Sequence, residues 1–176
     1  MGALVEAKGS AVAIKSAVGG ELLQLVTFNL GSEEYAVAIL KVQEINRMKE
    51  ITRVPNSPPY VEGVINLRGK VIPVVNLRSK FGLAAKENNE QTRIMIMDIQ
   101  GITMGLVVDS VSEVLRIPSS TVEPTPPMAS NISAEFIKGI AKVDERLIIL
   151  LDMDRLLGKA GGDEMLEVAT KAIENK

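Results

Sequence analysis

The stretch YVEGVINLRGKVIPVVNLRSKFG, residues 60–82, decides how this chain folds, because the chain contains it twice. Residues 136–158, FIKGIAKVDERLIILLDMDRLLG, align with it without a gap, and Gly63 then falls on Gly139. Internal self-similarity of this kind indicates a repeated structural unit, and it constrains the architecture before any single strand is assigned.

The repeat extends towards the N-terminus with a shorter offset. YAVAILKVQEI (residues 35–45) aligns with MGLVVDSVSEV (residues 104–114), which places Glu44 on Glu113. The extra length of the second copy falls in a Pro-rich stretch that begins at Pro118. We therefore interpret the chain as two tandem copies of one small unit.

Composition and turn signals divide the chain into four segments. Residues 1–20 are rich in Gly, Ala and Ser and lack an apolar period, so we expect a flexible N-terminal tail. We expect a first β-barrel subdomain at residues 21–90 and a second at residues 91–158. Residues 159–176 should form a hinge at Gly161-Gly162 and a C-terminal amphipathic helix.

Each copy shows alternating apolar residues, β-formers and closely spaced turns, which predict about five short strands. Five short strands in so small a unit favour a barrel over a half of one large sandwich. We therefore predict a mainly β protein with two tandem five-stranded barrels and short helices. A unit of this size buries little apolar surface alone, so the barrels should share an apolar interface.

Two short helices are predicted beside the strands of the first copy. Ser57 and Pro58 have the chemistry of a helix start, and Gly63 could end that helix in a left-handed conformation. Asn76 is expected to cap a one-turn helix that ends at Gly82.

Composition excludes several kinds of chemistry. The chain has no histidine and no cysteine, so it has no disulfide, thiolate or imidazole ligand, Cys nucleophile or His base. Asp152 and Asp154 lack the spacing of a calcium loop, and Asp152 is interpreted as a helix cap. No Gly-rich phosphate loop is present. We expect no cofactor, no metal and no catalysis.

The sequence also bears on location and on nucleic acids. The net charge is −2, and we see no cluster of Lys and Arg of the kind that nucleic-acid binders carry. No apolar run is long enough to span a bilayer or to serve as a signal peptide, so we expect a cytoplasmic protein without membrane insertion.

EYAVAI, KVQEI, GVINLRGKVIPVVNLR and LIILLDMDRLL together resemble the CheW family of bacterial chemotaxis coupling proteins, over roughly residues 21–158. The resemblance implies two SH3-like β-barrels and a non-enzymatic scaffold in a two-component system. Such a scaffold joins the cytoplasmic tips of methyl-accepting chemoreceptors to the regulatory domain of the chemotaxis histidine kinase. That domain has the same fold, and the two are expected to alternate in rings at membrane-associated receptor arrays.

Arg68 is the sharpest site candidate. At the matching place the second copy has Lys142-Val143-Asp144-Glu145, so the shared fold does not require an Arg there. Arginine is favoured as an anchor at protein interfaces. The resemblance implies that Arg68 contacts the receptor; the alternative is a solvated residue on a hairpin turn.

Further site residues are implied by the resemblance alone. The implied receptor-binding set around Arg68 consists of Val42, Glu44, Gly63 and Asn66. Thr92 corresponds to a position implicated in kinase binding. Structural explanations stay open for most of them: Val42, Glu44 and Gly63 each recur in the second copy, and Thr92 could simply begin a strand.

Composition disfavours two other functions. A tandem-barrel nucleic-acid-binding module would need a basic groove and stacking aromatics, and the chain has only two Tyr and three Phe. An enzyme using carboxylates alone would need a paired-acid pocket, which no spacing in the sequence indicates.

Overall fold

The computed structural model describes residues 15–16, 20–124, 136–157 and 168–170, and in this part the chain is mainly β. The strands, in chain order, are β1 (Lys15–Ser16), β2 (Gly20–Leu30), β3 (Glu33–Ala38), β4 (Val42–Arg47), β5 (Val61–Leu67), β6 (Lys70–Asn76), β7 (Arg93–Ile99), β8 (Ile102–Val108), β9 (Ser110–Pro118), β10 (Val122–Glu123), β11 (Ile137–Val143) and β12 (Arg146–Leu151). Helix α1 (Leu77–Lys80) follows β6, and α2 (Met153–Leu157) follows β12. The mainly β class is confirmed.

The strands form two sheets. Each sheet is built mostly from one sequence copy and contains one hairpin from the other copy. Sheet 1 has the order β4-β7-β8-β6-β5, so the β7–β8 hairpin of the second copy lies between strands of the first. In sheet 2, β2 and β3 of the first copy lie between β9 and β12, and β11, β10 and β1 complete the sheet. The predicted boundary between subdomains at residues 90 and 91 separates the two sequence copies. It does not separate the two sheets, because each sheet uses strands from both sides of that boundary.

Residues that match in the two sequence copies occupy the same pairing positions in the two sheets. β6 and β8 pair in parallel with Val74 opposite Gly105, and β12 and β3 pair in parallel with Leu150 opposite Ala36. These two pairs occupy the same positions of the aligned copies. The molecule is therefore two related halves that have reciprocally exchanged their first hairpins.

Each sheet curls so that its edges approach one another. In sheet 1, Thr52, beyond the end of β4, makes two 2.8 Å backbone hydrogen bonds with Val64 of β5. In sheet 2, the chain leaving β9 forms β10, which pairs with β11. Two curled sheets of this kind agree with the predicted pair of small SH3-like barrels.

The largest core lies between the two sheets and takes side chains from both. It includes the fully buried Phe28, Tyr35, Met97 and Leu106. Two smaller clusters lie within the individual sheets, one around Ile72 in sheet 1 and one around the matching Ile148 in sheet 2. The prediction of a shared apolar interface is confirmed.

The helix predicted to begin at Ser57 is wrong. The chain makes a turn in which the Val61 amide donates to the Pro58 carbonyl at 2.9 Å, and Gly63 lies inside β5 instead of ending a helix. Ser and Pro favour turns as well as helix starts, so the signal was ambiguous. The predicted cap of α1 is confirmed, because the Asn76 side chain accepts a hydrogen bond from the Ser79 amide.

Of the flexible tail predicted at residues 1–20, residues 1–14 and 17–19 lie outside the described residues, whereas β1 (Lys15–Ser16) pairs with Glu21 and Gly20 of β2. Much of the Pro-rich stretch, the hinge at Gly161-Gly162 and most of the predicted C-terminal helix also lie outside the described residues. Residues 168–170 are helical, and Val168 is buried in the large core. Among the described residues we find no membrane-spanning helix.

The shared core and the exchanged hairpins predict that the sheets unfold together. Ile148→Ala should remove about 2–5 kcal/mol from the free energy of unfolding, because the buried side chain leaves a cavity in sheet 2. Amide hydrogen exchange should show that strands of sheet 1 lose protection in parallel. Ile72→Ala is the matched variant in sheet 1, and loss of protection in the mutated sheet alone would contradict this expectation.

Candidate functional site

The turn between β5 and β6 presents Arg68 on a strained backbone. Arg68 and Gly69 have φ angles of 51° and 87°, the geometry of a two-residue type I′ hairpin turn. The Gly69 amide donates to the Asn66 side chain at 2.9 Å, which closes the turn. A left-handed conformation is uncommon for Arg, whereas the matching Asp144, with φ 52°, is of a residue type enriched there. Turn formation alone therefore does not explain why an Arg occupies position 68.

Arg68 forms an ion pair with Glu44 of β4. Its Nη2 contacts Glu44 Oε2, and its Nη1 lies 3.4 Å from Glu44 Oε1. The hydrogen bond from Arg68 lowers the pKa of Glu44 against a smaller opposing effect of burial, and Glu44 raises the pKa of Arg68. The Arg68 side chain remains 70% exposed, so the pair adds little to stability. The pair instead holds an accessible guanidinium beside β4.

In the second copy, the equivalent carboxylate pairs with a cation from a different element. Glu113 accepts a 2.8 Å hydrogen bond from Arg146, which comes from β12 and also approaches Glu34. Glu113 thereby raises the pKa of Arg146. A carboxylate on the edge strand is thus common to both halves, whereas a cation on the hairpin turn is specific to sheet 1.

Val42 connects this surface to the core. It is half-buried at the start of β4 and packs against the core between the sheets, as does the matching Val111. The pairing register of β4 shifts between Val42 and Glu44, which indicates a bulge or irregularity at that point. The structure therefore places Val42 and Glu44 on edge strand β4, Asn66 near the end of β5 and Arg68 in the adjoining turn.

Gly63 is buried in β5 and has a structural reason for its identity. Its φ is 147°, and a Cβ atom there would lie 2.1 Å from the Thr52 carbonyl oxygen. At Gly139 a Cβ would lie 2.8 Å from the Glu123 carbonyl oxygen, yet no positive φ is found there. The requirement that the two glycines share is therefore the close approach of a neighbouring backbone, whereas only Gly63 of the two has a positive φ.

Thr92 lies apart from the other candidate residues. Its side chain is buried, and its Oγ1 accepts a 2.9 Å hydrogen bond from the Asn89 amide. Glu44 lies opposite Ile96, four residues further along, which is about 13 Å at the rise of an extended strand. A contribution of Thr92 to kinase binding stays a prediction, and it would act through the turn that Thr92 closes.

The described residues hold no group of three or more carboxylates, histidines or cysteines that could bind a metal ion. Asp152 accepts a hydrogen bond from the Arg155 amide at 3.2 Å, which agrees with its assignment as a helix cap. This surface offers an exposed cation, a carboxylate and two apolar side chains of β4, Val42 and Ile45.

Sequence reasoning missed that Glu44 and Arg68 are partners. The signal that could have revealed the pair is the recurrence of Glu at positions 44 and 113, each followed downstream by an Arg in or next to a hairpin turn. It also missed the ion pair between Arg78 and Asp109, whose two residues lie in different copies of the repeat.

Comparisons with known proteins agree on one family. The family model described as a CheW-like domain matches residues 24–161. The chain is 36% identical to the chemotaxis protein CheW of Klebsiella aerogenes over 83% of this chain and 89% of that protein. For the chemotaxis protein CheW of Helicobacter pylori the identity is 39%, over 79% and 84%.

A solved structure shows the same fold. The crystal structure of the scaffolding protein TtCheW from Thermoanaerobacter tengcongensis is similar to this chain with a TM-score of 0.72 and 39% identity. The match covers 79% of this chain and 94% of TtCheW.

The close approach at Gly63 predicts a stability effect. Gly63→Ala should lower the free energy of unfolding by about 2 kcal/mol or more, because the backbone of Thr52 must move to admit a Cβ. Gly82→Ala is the control, since Gly82 also has a positive φ but a Cβ there would meet no atom within 4 Å. Equal losses in chemical denaturation of the two variants would contradict the role of the close approach.

Proposed function

Because the chain belongs to the CheW-like family, we propose that it is a non-enzymatic chemotaxis adaptor that couples chemoreceptors to the chemotaxis histidine kinase. The observation that carries this proposal is the exposed Arg68 on a strained turn, held beside β4 by Glu44. In sheet 2 the cation that pairs with the equivalent Glu113 lies on strand β12 and not on the turn. Strain and an uncommon residue at an exposed turn indicate a binding role more than a folding role.

The receptor-binding face is the edge of sheet 1. Arg68 and Glu44 supply a cation and a carboxylate, Asn66 shapes the turn, and Val42 supplies apolar contact. This combination fits a helical segment that presents apolar and acidic side chains, and we propose that the cytoplasmic tip of a chemoreceptor supplies that segment. Gly63 contributes by holding β5 against Thr52, which sets the position of the turn.

The kinase-binding face lies on sheet 2 and on the turn before β7. Sheet 2 exposes two large apolar side chains, Val114 on β9 and Leu147 on β12, with 55% and 60% of their surface accessible. Two exposed apolar side chains on one sheet can supply the apolar contact of a protein interface. Thr92 acts here as a positioning residue for the turn at residues 89–92.

An adaptor of this kind works by placement and needs no catalytic group, metal or cofactor. It acts in the cytoplasm, where it is recruited to membrane-associated receptor arrays by its partners. The nucleic-acid alternative is disfavoured, because Phe28, Tyr35 and Phe81 are buried in the core and are not available to stack on bases.

Reversal of the charge at position 68 tests the receptor face. Arg68→Glu should weaken binding of a receptor cytoplasmic fragment by about 2–4 kcal/mol, measured by calorimetry, and should leave binding of the kinase regulatory domain unchanged. Arg116→Glu, which makes the same charge change on the exposed part of β9 in sheet 2, is the matched control for the receptor measurement and should leave receptor affinity unchanged.

A second variant separates direct contact from support of the internal ion pair. Arg68→Glu combined with Glu44→Arg restores an ion pair within the chain but reverses its direction. Continued loss of receptor binding supports direct contact by Arg68. Full recovery, or wild-type receptor affinity of Arg68→Glu alone, would overturn the assignment of this face.

A further inference from the structure

Within the described residues, the chain crosses between the two sheets at two equivalent places. The side-chain contacts that fix these two crossovers differ in strength. At the first crossover, residues 39–41 join β3 of sheet 2 to β4 of sheet 1. At the second, Asp109 joins β8 of sheet 1 to β9 of sheet 2. The repeat aligns Asp109 with Leu40, so the two crossovers can be compared position by position.

The second crossover is fixed by a bidentate ion pair. Arg78 of α1 donates from Nε to Asp109 Oδ1 at 2.9 Å and from Nη2 to Asp109 Oδ2 at 2.7 Å. Both side chains are only 16% exposed. Asp109 Oδ2 also accepts the Gly31 amide at 2.8 Å, and Arg78 Nη1 donates to the Ala84 carbonyl at 2.7 Å.

These contacts tie sheet 1 to sheet 2 directly. α1 continues from β6 of sheet 1, whereas Gly31 lies in the β2–β3 turn of sheet 2. The carboxylate between them belongs to the crossover itself. A single guanidinium–carboxylate pair thus connects three segments that are distant in sequence.

The first crossover has weaker contacts among the described residues. Gln100 Nε2, in the β7–β8 turn that matches the turn of Gly31, donates to the Asp154 carbonyl at 2.9 Å, but this is a single hydrogen bond between neutral groups and not a bidentate ion pair. Leu40 stands where Asp109 stands in the other and is 80% exposed. Asp154 stands where Arg78 does, and it makes a 3.7 Å ion pair with Lys41 while both side chains remain largely exposed. An exposed pair at that distance holds its partners weakly.

Apolar and ionic contacts differ in what they specify. The core between the sheets is held by apolar contact, which is non-directional and tolerates small sliding or rotation of packed elements. A bidentate guanidinium–carboxylate pair is directional, and it fixes both distance and angle.

We propose that Arg78 and Asp109 are positioning residues that set the angle between the two sheets. The weaker contacts at the crossover that contains Leu40 would allow that angle to change. This inference rests on the proposed adaptor function in one respect: the angle sets where the receptor-binding turn on sheet 1 lies relative to the kinase-binding face on sheet 2. The angle itself is a property of the free protein and can be measured without either partner.

Residual dipolar couplings of backbone amides test the angle in the full chain. In wild type, one alignment tensor should fit both sheets in their observed orientation. Arg78→Gln and Asp109→Asn should require separate tensors, or should reduce the alignment of one sheet relative to the other, while each sheet still fits its own fold. Arg78→Lys should behave like Arg78→Gln, because an ammonium cannot form the bidentate pair.

Lys41→Gln and Asp154→Asn are the matched controls, since they remove the weaker pair at the equivalent crossover. Both should retain a single tensor. If Arg78→Gln lowers the melting temperature but one tensor still fits both sheets as in wild type, the pair only adds stability and the proposal is overturned. An equal loss of alignment in the controls would also overturn it.

Binding measurements then separate this proposal from the adaptor function. Arg78→Gln should weaken assembly of the ternary complex with receptor fragment and kinase domain about fivefold or more, while binary affinities change less. Failure of the wild-type chain to bind either partner would refute the adaptor function but would leave the tensor comparison valid. An altered angle with wild-type ternary assembly would overturn the link between angle and coupling.

Discussion

The parallel pairing of β6 with β8, and of β12 with β3, is the constraint on which the rest of the structure depends. Parallel neighbours need a long crossover connection, and here the neighbour of each comes from the other sequence copy. Neither copy can complete its own sheet. The core between the sheets, the two crossovers and the closeness of β4 to the β5–β6 turn all follow from that exchange.

The proposed binding site depends on a departure from the symmetry that the exchange creates. Glu44 and Glu113 occupy equivalent edge strands, but their cations come from different places, the turn in sheet 1 and a strand in sheet 2. The duplicated framework supplies rigid strands, and the single Arg on a left-handed turn makes the two faces chemically different. A two-faced adaptor needs that difference, because identical faces would not distinguish two partners.

The sequence predicted the repeat, the mainly β fold, the α1 cap and the shared apolar interface, because these depend on local pattern and composition. It could not predict the exchange of hairpins. The copies carry the same alternation of apolar residues, so a hairpin fits either sheet equally well by pattern. The pairing of Arg68 with Glu44 was missed for a related reason: a contact across 24 residues depends on strand order, which local signals do not encode.

The topology also has a consequence for the order of biosynthesis. The β2–β3 hairpin is made before its neighbours β9 and β12, which follow it by about 80 and 110 residues in the chain. Until β9 and β12 are made, its edges have no native neighbour, and its apolar residues, Phe28 and Tyr35 among them, lack the part of the core that the second copy supplies. Between the synthesis of β3 and that of β12, the nascent chain therefore carries a segment that is open to misassociation, and a chaperone could bind it during that interval.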